Sequence, residues 1–161
     1  MRERFGEARK VDNRMVYTFP SPQRVAESSD KELRECALGY RAKNLLATAR
    51  LVSSRAANLG AWAVLSDADL RAKLCELPGV AAKVSNCVIL FAYQRLGAFP
   101  IDVRIARLLK EKYFPGERKV TPQRLRLFCE SYFGEYGGYA QQYLFHYARK
   151  TKVGRLKSVS T

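Results

Sequence analysis

The sequence has 161 residues, 47% of them hydrophobic, and 29 Lys and Arg against 15 Asp and Glu give a formal net charge of +14. This length and composition exclude a disordered chain and are typical of one globular domain with its own core. The longest strongly apolar run, from Cys87 to Tyr93, is too short to cross a bilayer. The charge indicates a polyanionic partner, and nucleic acid is favoured over a membrane surface because no segment combines a long apolar face with a dense basic one.

The pattern along the chain predicts helices and shows no convincing strand. Several helices are expected to begin at a Ser, Thr or Asp cap, and at Ser21 and Thr121 a proline follows directly. The predicted starts are Ser21, Asp30, Tyr40, Asp67 or Asp69, Ala82, Asp102, Thr121 and Tyr139. The prediction is an all-α fold, with residues 1–150 as one domain and residues 151–161 as a basic flexible tail.

The stretch from Leu77 to Arg104 holds the two residues that stand out chemically. A tight apolar turn, LPGV, leads into a helix whose first turn carries Lys83, where the helix dipole disfavours a cation. We expect apolar neighbours to remove water from around this amine and, together with the helix dipole, to lower its pKa. A lysine with a lowered pKa can act as a nucleophile near neutral pH. Asp102 stands at the N-cap of the next helix. An amine and a carboxylate are the groups that Schiff-base chemistry requires.

Residue types alone also allow ordinary interpretations of these positions. Most lysines at helix starts are solvated, and aspartate is among the commonest N-caps. Cys87, one turn after Lys83, could be a small core residue. On the last helix, the predicted core stripe is Ala140, Tyr143, Leu144 and Tyr147. That stripe leaves Phe145 off the core, one turn after Gln141.

Four stretches resemble the helix-hairpin-helix base-excision DNA glycosylases, and most closely the 8-oxoguanine DNA glycosylases among them. They occur in that family's order over most of the chain: LGYRAKNL (38–45), LPGVAAKVSNC (77–87), PIDVR (100–104) and YAQQYLF (139–145). The dispersed cysteines, Cys36, Cys75, Cys87 and Cys129, exclude the compact four-cysteine loop of the iron–sulfur relatives. They suit a reducing compartment, the cytoplasm of a prokaryote or the nucleus of a eukaryote.

The resemblance implies a role for each matching residue. Lys83 is expected to be the Schiff-base nucleophile and Asp102 the carboxylate that assists it. Cys87 and Phe145 are expected to sandwich the oxidised base, and Gln141 to read its Watson–Crick edge. The DNA contacts are expected from Tyr40 and Arg41 at the duplex, from the hairpin residues Gly79, Val80 and Ala81, and from Arg104. Ala81 stands where a second glycine is usual, and a positive φ there would strain alanine.

The resemblance further implies a bifunctional glycosylase and abasic-site lyase that works as a monomer on double-stranded DNA containing oxidised guanine or abasic sites. No metal, no other cofactor and no membrane partner are expected. It also implies a truncation, because the family's β-rich N-terminal domain has no counterpart ahead of Met1. Two alternatives remain open: a non-catalytic DNA-binding fragment, and the same chemistry directed at a different lesion.

Overall fold

The computed structural model describes residues 1–151, and the predicted tail beyond Thr151 lies outside them. The predicted helical fold is confirmed. The described residues form two compact units that divide between Gly79 and Val80. No helix within residues 1–151 is long and apolar enough to cross a membrane. The organisation of residues 1–150 as one domain stays a prediction.

The first unit contains short helices, one hairpin and one long helix. Its elements are α1 (Arg2–Phe5), β1 (Ala8–Val11), β2 (Arg14–Tyr17), α2 (Pro22–Ala26), α3 (Asp30–Leu33), a π-helical turn (Arg34–Leu38), α4 (Arg41–Ser53), a 3-10 turn (Ala61–Val64) and α5 (Asp67–Cys75). Its main cluster of buried apolar side chains is built from α1 to α4: Phe5, Val25, Leu33, Ala42, Leu46 and Ala49. This cluster holds α4 in place, and α4 in turn carries the residues that support the hairpin after α5.

The antiparallel pair β1–β2 corrects the prediction that the sequence holds no strand. Asp12 and Asn13 have φ of 44° and 63°, the backbone of a tight two-residue turn, and Val11 pairs with Arg14 across it. The strands are largely exposed, so no alternation of buried and polar residues marked them. Turn chemistry was the available signal, and it was missed.

One predicted cap was one residue late, and one of the two predicted helix starts, Asp67, is confirmed. Ser29 caps α3 in a capping box with Glu32, rather than Asp30. Ser66 caps α5 by accepting from the Asp69 backbone N–H at 3.1 Å. In both cases the acidic residues lie in the first turn of the helix, where the helix dipole favours them.

The second unit begins at Val80 and contains longer helices. They are α6 (Ala82–Phe91), α7 (Val103–Tyr113), α8 (Pro122–Phe133), a 3-10 turn (Gly134–Tyr136) and α9 (Gly137–Lys150). Ile105, Leu108 and Leu109 of α7 are buried, and they pack in one cluster with Leu125 and Cys129. Thr121 caps α8 as predicted, accepting from the Arg124 backbone N–H.

The buried face of α9 differs from the predicted one. Tyr143 is 77% exposed, whereas Gln141 and Ala148 are buried. The reason is Gly138, whose N–H donates to the Leu96 carbonyl at 2.6 Å. A Cβ at position 138 would meet the carbonyls of Leu96 and Ala98, so the chain approaches α9 on its Gly138–Gln141 side. Gly137 and Gly138, which precede the predicted start at Tyr139, therefore lie within this helix, and Gly138 decides which face is buried.

Candidate functional site

Lys83 is the second residue of α6. The start of this helix lacks the side-chain cap and the acidic residues that usually stabilise a helix start. Ala81 is the N-cap and offers no side-chain cap, and no acidic residue occupies the first turn. The Lys83 side chain is exposed, so the predicted loss of hydration is wrong. The neighbouring Val84 is also 38% exposed, because this first turn of α6 lies at the surface. The amine is thus freely reachable at the positive end of a helix.

Asp102 caps α7 and is half-buried. The Ile105 backbone N–H donates to its Oδ1 at 2.7 Å, which confirms the predicted N-cap. This hydrogen bond fixes the position of the Asp102 carboxylate. The other carboxylate oxygen, Oδ2, takes no part in the cap. Asp102 and Lys83 line the same two cavities, so the structure brings together the amine and the carboxylate that the sequence singled out.

The smaller cavity, of about 200 Å³, contains all three predicted base-recognition residues. Gln141 is 5% exposed, and its Oε1 accepts from Nε2 of Gln142 at 2.5 Å. Cys87 is a free, half-buried thiol one turn along α6 from Lys83. Phe145 is half-buried, with the Arg149 guanidinium 6.0 Å from its ring centroid. An amide, a soft sulfur and an aromatic ring around one space suit a planar heterocycle.

Three further residues of this cavity, Phe91, Pro100 and Gln142, were not predicted as site residues. Phe91 also lines it and is 61% exposed. Helical spacing could have identified Phe91, because it follows Lys83 and Cys87 at successive intervals of four residues. Gln142, whose side-chain amide donates to Gln141, had no such signal in its spacing. Its side chain is exposed, whereas that of its neighbour Gln141 is buried.

A larger cavity of about 430 Å³ is also lined by Lys83 and Asp102. Its walls are mostly apolar, with Phe99, Ile101 and Leu125 among them, and Lys110 and Arg126 contribute positive charge. A purine presents several donors and acceptors along its edge, and buried polar groups require partners. The larger cavity is lined by two amides, but Asn86 donates to the Ala82 carbonyl and Gln123 is exposed. The smaller cavity supplies the buried Gln141 amide beside a thiol and an aromatic ring, so it suits a base better despite its lesser volume.

The hairpin between α5 and α6 is supported by α4 within the first unit. Gly79 has φ of +77°, and a Cβ there would collide with the side-chain amide of Asn44. The Thr48 hydroxyl donates to the Pro78 carbonyl at 3.4 Å. Ala81, by contrast, has φ of −107° and ψ of 178°, so alanine carries no strain there. The conformation that requires glycine is at position 79 alone among these residues.

The remaining predicted DNA-contact residues lie at helix starts. Tyr40 is the N-cap of α4 and is 76% exposed, with the Arg41 guanidinium 5.7 Å from its ring centroid. Both belong to the first unit. Arg104 is half-buried in the first turn of α7 and does not line either cavity beside Lys83. Within the second unit, the structure brings Lys83, Asp102, Cys87, Gln141 and Phe145 together around one cavity and leaves Arg104 outside it.

Comparison with known sequences gives the family. The pattern of the HhH-GPD superfamily base excision DNA repair proteins matches residues 1–132. The chain belongs to this superfamily. The match spans α1 to most of α8 and so includes the hairpin, Lys83 and Asp102.

Individual relatives are similar over most of this chain. A probable N-glycosylase/DNA lyase of Methanothermobacter thermautotrophicus is 30% identical over 94% of this chain and 54% of its own length. The N-glycosylase/DNA lyase OGG1 of Arabidopsis thaliana is 31% identical, over 84% and 40% respectively. The Clostridium acetobutylicum 8-oxoguanine glycosylase/lyase, solved with double-stranded DNA containing cytosine opposite 8-oxoG, superposes with a TM-score of 0.87. It is 31% identical, over 94% of this chain and 52% of that one. The chain thus spans about half the length of these relatives.

Proposed function

We propose that this chain is a DNA N-glycosylase and abasic-site lyase that removes oxidised guanine from double-stranded DNA. The observation that carries the proposal is the placement of Lys83 and Asp102 on one cavity with Cys87, Gln141 and Phe145. Membership of a base-excision repair superfamily and similarity to 8-oxoguanine glycosylase/lyases support it. The substrate follows from those relatives and from the amide in the cavity, and the formal charge of +14 favours a DNA partner.

The proposed chemistry begins with the Lys83 amine. Its nitrogen lone pair attacks C1′ of an extrahelical nucleotide, and the bond from C1′ to the base breaks with its electron pair leaving on the base. The proton released by the attacking nitrogen passes to the departing base. Asp102 lies where it can relay that proton and stabilise positive charge on the sugar.

The second step cleaves the strand. Ring opening of the sugar gives an imine between Lys83 and C1′, which makes the C2′ hydrogen acidic. Removal of that proton breaks the bond between C3′ and its oxygen, and the 3′ phosphate leaves with the electron pair. Hydrolysis of the imine then releases Lys83. The C2′ proton passes to the Asp102 carboxylate or to water, and neither step consumes an oxidant or a reductant.

DNA is proposed to bind through backbone groups as well as side chains. The first N–H groups of α6 have no partner within the helix and point outward at its positive end, which suits a phosphate. Gly79, Val80 and Ala81 lead directly into this helix start. Arg104 is proposed to contact a second phosphate, and Tyr40 and Arg41 to contact the duplex beside the flipped nucleotide. The protein is proposed to work as a monomer.

The proposal is tested by strand cleavage of a duplex with one abasic site. The unmodified chain is expected to cleave, and Lys83→Gln to lose at least about 100-fold in rate because no imine can form. Lys43→Gln is a matched control: Lys43 is equally exposed and close to a helix start, but it lines neither cavity beside Lys83. Cleavage by the unmodified chain that is insensitive to Lys83→Gln would contradict the proposal. DNA binding without cleavage would favour a non-catalytic binding fragment.

A further inference from the structure

The outward face of α9 carries a row of tyrosines. Tyr139, Tyr143 and Tyr147 are 54%, 77% and 43% exposed, and Tyr136, just before the helix, is 58% exposed. Their spacing of four residues places the three helical rings within an arc of roughly 80°. An outward helix face normally carries charged and small polar residues. A contiguous exposed aromatic surface marks an interaction site.

This tyrosine row is separate from the cavity of the proposed function. Gln141 and Phe145 line that cavity from the same helix, but they point roughly 120–160° away from Tyr139 and Tyr143. Neither Tyr139, Tyr143 nor Tyr147 lines the cavity beside Lys83. A ligand on the row would therefore not displace a base from the cavity.

The charge around the row identifies the class of partner. From Gly137 to Lys150 the sequence contains no Asp or Glu. His146 and Lys150 fall on the same arc as the tyrosines, and both are exposed. A second copy of this chain would set Lys150 against its equivalent and bring together two chains of formal charge +14, which disfavours self-association. The row favours a partner that is both anionic and able to stack.

We propose that the tyrosine row of α9 binds single-stranded nucleic acid. Unpaired bases stack on Tyr139, Tyr143 and Tyr147, one ring per helical turn, while the phosphates lie near His146 and Lys150. Aromatic rings beside cations are how proteins bind single strands without reading their sequence. A duplex hides the faces of its bases within its stack, so the row prefers unpaired segments. The site goes beyond the proposed function and uses none of its residues.

The test is the anisotropy of a fluorescent oligothymidylate of roughly 15 nucleotides, which has little structure of its own. Tyr143→Ala, at the most exposed ring, is expected to weaken binding on the order of tenfold, because a stacking platform is lost. Tyr143→Phe is expected to bind within about twofold of the unmodified chain, since phenylalanine stacks without the hydroxyl. Phe19→Ala removes a ring that is 62% exposed in the first unit and is expected to change nothing.

Four results would overturn the inference. The first is unchanged binding by Tyr143→Ala, and the second is an equal loss in Tyr143→Phe, which would point to the hydroxyl. The third is sedimentation showing that only a dimer binds, and the fourth is equal competition by polyglutamate of matched charge. Abasic-site cleavage by Tyr143→Ala is expected to equal that of the unmodified chain. This separates a failure of the tyrosine row from a failure of the proposed function.

Discussion

Asn44 lies against Gly79 so closely that a Cβ on Gly79 would collide with the Asn44 side chain. Asn44 belongs to α4, and Gly79 is the one residue of the hairpin with a positive φ, +77°. The contact ties the backbone before α6 to the longest helix of the first unit. The hairpin is thereby held by packing as well as by its own turn.

Gly79→Ala is expected to destabilise the protein by roughly 2–4 kcal/mol, since it combines an unfavourable φ with a steric clash. Gly116→Ala is the matched control, because Gly116 has φ of +84° but nothing within 4 Å of its added Cβ. The control is expected to lose only about 1 kcal/mol. Urea denaturation of both variants measures the difference. Equal losses would mean that the contact with Asn44 is unimportant.

Asp102→Asn separates capping from chemistry. Asparagine is as good an N-cap as aspartate, so the free energy of unfolding is expected to stay within about 0.5 kcal/mol of the unmodified value. Single-turnover base release is expected to slow on the order of 100-fold, because the charge and the proton relay are lost. Thr121→Ala, which removes the cap of α8, should show the reverse: about 1 kcal/mol less stability and an unchanged rate. If Asp102→Asn loses stability but keeps its rate, the aspartate is only a cap.

Gln141→Leu tests whether the smaller cavity reads a base. The amide is buried, and leucine keeps most of its volume while removing its hydrogen bonds. Excision of 8-oxoguanine is expected to fall on the order of tenfold or more, since a polar edge of the base is left without its partner. Cleavage at an abasic site, which holds no base, is expected to change by less than about threefold. Equal losses on both substrates would show that Gln141 positions Lys83 or the helix instead.

The sequence predicted the local features of the site better than its surroundings. Lys83 at a helix start and the Asp102 cap follow from rules that act within one turn, and both lie where they were expected. The exposure of a side chain depends on which parts of the chain pack nearby. The apolar residues around Lys83 in the sequence gave no sign that the first turn of α6 lies at the surface.

The face of α9 was missed for a related reason. Helical period alone groups Tyr143 with Leu144 and Tyr147 as plausibly as it groups Gly138 with Gln141. The choice is made by the close approach of the Leu96 carbonyl to Gly138, a contact 42 residues apart in sequence. Likewise, Asn44 on α4 packs against Gly79 in the turn after α5. Contacts at such separations leave no periodic signal in a single sequence.

Cys129 is expected to be inert until the chain unfolds. It is 1% exposed, and burial raises the pKa of its thiol from 9.0 to about 12. Because the thiolate is the reactive form, iodoacetamide at a pH of about 9 should label the exposed Cys75 first and Cys129 only in denaturant. Mass spectrometry of the labelled peptides measures this. Labelling of Cys129 as fast as Cys75 would contradict the packing of α8.

The same pKa shift predicts a loss of stability in alkali. The folded chain keeps the Cys129 proton up to a pH of about 12, whereas the unfolded chain releases it near 9.0. The contribution of the protonated Cys129 thiol to the free energy of unfolding is therefore complete below the unfolded pKa. This contribution is lost as the pH rises from about 9 towards 12. Cys129→Val, which has no proton to lose, should show a shallower decline over this range. An equal decline in the free energy of unfolding of the variant and the unmodified chain would contradict the assignment of this effect to Cys129.

Lys83 is proposed to form an imine with the sugar of DNA. Borohydride reduces such an imine to a stable amine and so fixes protein to DNA. We expect a covalent complex with abasic-site duplex, a DNA remnant on the peptide containing Lys83 by mass spectrometry, and no complex from Lys83→Gln, although that variant still binds DNA. An undiminished complex from Lys83→Gln, or a remnant mapped to another residue, would contradict this proposal.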